Sequence, residues 1–229
     1  MYYYDSTYIL VIIAFALSMF ASFGVKSTFA KYDKKLSYRG ITGADAARRI
    51  LDANGLYNIR IERVSGNLSD HFDPSAGVIR LSDSTYNSTS VAAIGVAAHE
   101  CGHAVQHAQG YVPIKLRNSI VPIVNIGNSL SMPLFFIGLL LGMTELAFAG
   151  ALLFGLVLIF QLVTLPVEFN ASTRAIKILD GMAILDSDEL RGTKKVLSAA
   201  AMTYVAAVAS TALQLLRLLM IVNNRRDRR

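Results

Sequence analysis

The run His99-Glu100-Cys101-Gly102-His103 holds the residue types that bind and use a divalent metal. On an α-helix, positions four apart share a face. Both imidazoles then converge on one point and can bind a single Zn²⁺, an ion that suits imidazole and carboxylate and works without redox change. Glu100, one residue on from His99, can lean over the same ion and accept a proton from its water. Val96-Ala-Ala before the run and Ala104-Val105 after it are small or apolar, as a helix packed on a core needs. Gly102 lets another element approach closely. Cys101 points away from the metal face and reads as a small, inert hydrophobe.

A catalytic zinc site takes three protein ligands and keeps an open position for water, so a third ligand must come from elsewhere. A metzincin continuation would place a histidine at position 109, where this chain has Gln109, and that class is excluded. His107 lies one turn further along the face. Each turn advances about 5.4 Å, too far for one straight helix to supply all the ligands, so His107 is expected beside the metal rather than on it. His71, in Asp70-His-Phe-Asp-Pro74, reads as a loop histidine and a weaker candidate for holding a substrate oxyanion.

The elements that position this run follow from where the charge lies. Hydrophobic residues make up 53% of the 229-residue chain and charged residues only 17%. Four windows carry no charge at all: Ser6–Val25, Asn118–Thr144, Leu146–Val167 and Val196–Leu216. Each reaches the roughly 20 apolar residues that a helix needs to cross a bilayer. This excludes a simple soluble globule, a disordered chain and a disulfide-stapled secreted domain. The expected fold is mainly α and integral to the membrane, with about four transmembrane helices and a small α+β, zincin-like extramembrane part. One domain, 1–229, is expected to hold an anchor helix at 6–25 and a polar catalytic segment at 26–117 with its zinc helix at 89–109. A transmembrane hairpin at 118–167, a third-ligand segment at 168–195 and a C-terminal apolar helix at 196–222 complete it.

Within the polar segment, Gly43–Gly55 reads as a helix ending in the left-handed cap Asn54-Gly55. Ile59–Val64 alternates like a half-buried strand. Asp73-Pro-Ser-Ala-Gly77 signals a turn, and Val78–Ser82 reads as a second strand whose edge can hold an extended substrate. Ser88-Thr-Ser90 supplies an N-cap for the zinc helix. The two hairpin arms are separated only by Glu145 and its neighbours, so they must run antiparallel. Their far ends, near Arg117 and Glu168, then emerge on the same side. Closing the hairpin brings Glu168 to the end of the zinc helix, where its carboxylate can complete a His-His-Glu site. Glu168 reads as the start of a new helix through Ser172, and Arg174 can pair with it or stabilise developing charge.

The net charge of +6 points to lipid headgroups rather than nucleic acid, because the basic residues flank the apolar windows and no aromatic platform interleaves with them. Lys26, Lys31, Lys34, Lys35 and Arg39 follow the first window, whereas no basic residue precedes it. That pattern predicts a retained anchor in a multi-pass protein of the cell membrane, with the catalytic side cytoplasmic. The single cysteine excludes an intrachain disulfide.

The segments Ala97–His107 and Leu165-Pro-Val-Glu-Phe-Asn-Ala-Ser-Thr-Arg174 resemble the paired motifs of the YugP-type neutral zinc metallopeptidases. That family consists of small prokaryotic membrane proteins, distantly similar to the membrane prenyl-protein proteases. The likeness covers nearly the whole chain. It implies His99, His103 and Glu168 as zinc ligands and Glu100 as catalytic base. Such relatives carry an aspartate shortly after the glutamate to orient a ligand histidine. This chain has Asn170 and Ser172 there, and either can accept a histidine N–H. The implied function is a membrane-embedded endopeptidase acting on membrane proteins or peptides at the bilayer surface. The alternative is a non-proteolytic protein with a closed structural or regulatory zinc site, in which His107 or His71 would supply a fourth ligand.

Overall fold

A computed structural model of the chain describes residues 7–226. The flank preceding the anchor, including Ser6, and the last three residues of the basic tail lie outside the described residues. In chain order the elements are α1 (Tyr8–Asp33), α2 (Gly43–Ala53), β1 (Arg60–Val64), β2 (His71–Asp73), β3 (Val78–Ser82), α3 (Asp83–Tyr86), α4 (Val91–Ala108), α5 (Val112–Leu140), α6 (Thr144–Gly181) and α7 (Ser187–Arg226). The protein is thus mainly α, with a small three-stranded sheet. Among the described residues, α1, α5, α6 and α7 are long and apolar enough to cross a membrane.

The chain forms two compact units. Among the described residues, one comprises 7–22, 116–165 and 203–226. Its α5 and α6 join through a tight turn in which Gly142 takes a left-handed φ of 70° and Met143 N–H donates to Gly138 O at 2.8 Å. Phe135, Ala147, Ala151 and Leu218 form its packed centre. Gly150 allows the arms to touch, because a Cβ there would lie 2.7 Å from Ser131 O. Along α1, by contrast, Ile12, Phe15, Phe20 and Phe23 are all exposed. Large apolar side chains left exposed along a helix of this length need lipid around them.

The other unit comprises Phe23–Lys115 and Pro166–Met202. Thr42 caps α2 through a reciprocal capping box with Asp45, and the helix buries Ala46, Ala47, Ile50 and Leu51. These pack with Ile79 and Leu81 of β3, with Ala97, Ala98, Cys101 and Ala104 of α4, and with Ala175 and Leu179 of α6. A second capping box opens α7: Glu189 N–H donates to Asp186 Oδ1 at 2.8 Å, and Asp186 N–H returns to Glu189 Oε2 at 2.9 Å.

Three features differ from the sequence expectations. His71 is not in a loop but opens β2, which pairs antiparallel with β3 (His71 opposite Arg80). β3 is the middle strand, in the order β1-β3-β2, with β1 parallel on its other side. Both its edges are occupied, so it offers no edge to a substrate; the free edges belong to β1 and β2. Glu168 does not start a helix. It lies inside α6, which runs on past the last apolar residue of its window because Ala171, Ala175 and Leu179 supply a new buried stripe at helical spacing.

Candidate metal centre

Ser90 begins α4 by accepting from Ala93 N–H at 3.1 Å, while its own hydroxyl donates to Asp33 Oδ1 at 2.8 Å. The helix is therefore tied at its first turn to the end of α1. Its Ala97–Cys101–Ala104 face enters the core, and burial pushes the Cys101 thiol pKa far up, so this cysteine stays a neutral thiol. The adjoining face carries His99, His103 and Gln106 towards α6.

Gly102 sets the distance between α4 and α6. A Cβ on it would lie 2.6 Å from the carbonyl oxygen of Ala171, a backbone atom that cannot swing aside. Ala171 lies between Glu168 and Ser172. Gly102→Ala is expected to lower stability by about 1–3 kcal/mol through overpacking, read as a drop in melting temperature. An unchanged melting temperature would show that the two helices are not held this closely.

The structure brings His99, His103 and Glu168 together. His99 Nε2 and His103 Nε2 are 3.1 Å apart. Glu168 Oε2 lies 3.2 Å from His99 Nε2 and 3.5 Å from His103 Nε2. Ligand atoms about 2.0–2.1 Å from a tetrahedral zinc ion sit about 3.3–3.4 Å from one another. The three atoms thus form one face of such a tetrahedron, and the donor set of two imidazoles and one carboxylate fits zinc. Glu168 is only 4% exposed. Burial disfavours the charged form of His103, but hydrogen bonding to Glu168 and the nearby charges of Glu100 and Glu168 outweigh it and raise its pKa.

Glu100 is itself buried, at 8% exposure. Among the described residues no protein donor holds its carboxylate. Ser172 Oγ is 3.1 Å from His99 Nδ1. Asn170 does not reach a histidine; its Oδ1 accepts from Arg174 Nε at 2.7 Å and from Gln106 Nε2 at 2.9 Å. Arg174 does not pair with Glu168: its second contact is Gln109 Oε1, at 2.5 Å, and its guanidinium lies over the Tyr111 ring. His107 is exposed, with its ring edge-on to Phe72 of β2. His71 is exposed and lies by Ser69 O and the Arg80 guanidinium. Neither histidine joins the cluster.

Gln106 escaped the sequence reading. It is fully buried and 3.0 Å from His103 Nδ1. Its signal was present: an uncharged polar residue three positions after His103, on a stretch that is otherwise small or apolar. Beside the cluster, a cavity of about 340 Å³ is lined by Ser172 together with Phe169, Ile176, Leu197, Lys177 and Lys194.

Comparison with known proteins agrees with this chemistry. The chain matches, over residues 7–223, the family described as "Putative neutral zinc metallopeptidase". It belongs to that family. Among its relatives is a protein of Bacillus subtilis (strain 168) named "Putative membrane protease YugP", 49% identical over 218 residues, covering 95% of this chain and 97% of the relative. No solved structure matches the chain.

Proposed function

We propose that the protein is a membrane-embedded, zinc-dependent endopeptidase cleaving membrane proteins or peptides near the cytoplasmic bilayer surface. The observation that carries this reading is the triangle of His99 Nε2, His103 Nε2 and Glu168 Oε2 with the separations of a tetrahedral zinc face. His99, His103 and Glu168 would hold the ion. When bound, zinc supplies Lewis acidity, polarising the scissile carbonyl and lowering the pKa of water to about 7. Glu100 takes a proton from the attacking water and passes it to the leaving amine. Its freedom from protein donors suits that work, because a carboxylate already held by strong donors is a poorer base.

Among the described residues no fourth ligand joins the cluster, which favours catalysis over a closed structural site. The closed reading needs a fourth ligand from His107 or His71, and both lie elsewhere. The substrate class follows from two features. Glu168 comes directly after the charge-free window Leu146–Val167, which keeps the site near the bilayer. The cavity beside it is walled by Phe169, Ile176 and Leu197, which suits apolar side chains. The basic residues that follow the apolar part of α1 favour a cytoplasmic site.

The test is cleavage of membrane-protein substrates by purified protein in detergent or lipid. A chelator is expected to abolish cleavage, and added zinc to restore it. Zinc is also expected to raise the melting temperature, since an ion at 1,000 times its Kd adds about 4 kcal/mol to the folded state. Cleavage that survives full metal removal would overturn the proposal.

A further inference from the structure

We infer that Gln106 is the positioning residue for His103, standing in for the carboxylate that zinc-binding histidines commonly use. It fixes which ring nitrogen carries the proton and ties the two ligand-bearing helices together. The inference rests on the zinc-site reading above but not on proteolysis.

The argument starts from groups that can play only one role. The carbonyl of Val167 can only accept, and Gln106 approaches it at 2.8 Å. The atom of Gln106 facing Val167 must therefore be the amide nitrogen. The guanidinium of Arg174 can only donate, so the atom of Asn170 that it meets at 2.7 Å must be the carbonyl oxygen. That same oxygen receives the second N–H of Gln106 at 2.9 Å. Both hydrogens of the Gln106 amide are thereby used, and its orientation is settled from two sides. Its oxygen is left facing His103 Nδ1 at 3.0 Å. An amide oxygen cannot donate, so Nδ1 must carry the hydrogen. His103 Nε2 then keeps its lone pair, directed at His99 Nε2 and Glu168 Oε2, where the cation would sit.

Ser172 differs in kind. A hydroxyl can donate or accept, so its contact with His99 Nδ1 steadies that ring without choosing its tautomer. The chain Arg174–Asn170–Gln106–His103 does choose. Asn170 thus acts one step back, on Gln106, and the contact to the histidine comes from α4 itself. Gln106 further bonds to the backbone of the residue before Glu168. One side chain thus sets both a ligand histidine on α4 and the α6 turn that carries the ligand carboxylate.

The experiment compares the full-length parent with Q106M and Q106E, measuring zinc affinity by competition with a chelator and melting temperature without metal. Q106M is near in volume but offers the histidine no acceptor. It is expected to lose zinc affinity by about 10–100-fold, the usual cost of removing such a partner. Q106E keeps an acceptor for Nδ1–H and, protonated on its other oxygen, a donor for Val167 O. Its affinity is expected nearer the parent's than that of Q106M. If Q106E binds zinc no better than Q106M, Gln106 serves only packing and the inference falls. It falls equally if Q106M binds like the parent. Should Q106M fail to fold, Q106A, whose small side chain imposes no clash, takes its place with the same expected outcomes. A parent that binds zinc yet cleaves nothing would sink the peptidase reading and leave this one standing.

Discussion

Glu100→Gln is expected to cut the single-turnover cleavage rate by about 10²–10⁴-fold, the usual contribution of a general base, while zinc content stays at the parent level. The substitution replaces one oxygen by an NH₂ group and changes volume little. It removes the proposed proton acceptor without touching any atom of the His99, His103 and Glu168 cluster. Glu100 is buried and, among the described residues, no protein donor occupies its carboxylate, so Gln has no partner to strand. One side effect is expected. The Glu100 charge helps raise the pKa of His103, so the variant's metal-free His103 should titrate lower than the parent's. Zinc analysis beside the cleavage assay separates the roles: a base affects rate, whereas a ligand affects metal content. Cleavage retained at the parent rate would remove Glu100 from the chemistry, and the peptidase reading with it.

Much of this site was legible before any coordinates, for a physical reason. HExxH is a local pattern: the helix period alone brings His99 and His103 to one face, and small neighbours announce the packing around them. Glu168 lies 65 residues from His103, yet the short link around Glu145 between two apolar windows constrains where it can go. What stayed hidden depends on partners remote in sequence. β2 is three residues long, and nothing in His71-Phe-Asp73 alternates for long enough to announce a strand. Its existence needs β3 as a template, and with it β3 becomes the central strand rather than an open edge. The continuity of α6 through Glu168 was hidden because the charge-free window marks where lipid-like composition stops, not where hydrogen bonding stops. Except at Pro166, which has no N–H to donate, the helix continues through Arg174 regardless of which solvent the side chains meet. Gln106 was hidden because its meaning lies in Val167 and Asn170, more than 60 residues away.

Glu168→Ala is expected to lower zinc affinity by more than the roughly 100-fold upper cost of losing an outer partner, and to bring cleavage to background. Two imidazoles 3.1 Å apart would remain, a pair too few to hold the ion against a competing chelator. Folding is the competing explanation, and the geometry separates it. Glu168 contributes no atom to the core of Ala97, Cys101, Ala175 and Leu179 that joins α4 to α6. Its removal relieves the burial of a carboxylate but also strips the two imidazoles of their contact, so each protein's response to zinc is read against its own metal-free melting temperature. The zinc-induced rise in melting temperature should vanish. Glu168→His supplies a third imidazole on the same turn and is expected to recover part of the zinc binding, since three histidines also make an open zinc site. A Glu168→Ala protein that held zinc as tightly as the parent would mean that some other residue closes the triangle, and that the meeting of α4 with α6 is not what makes the metal centre.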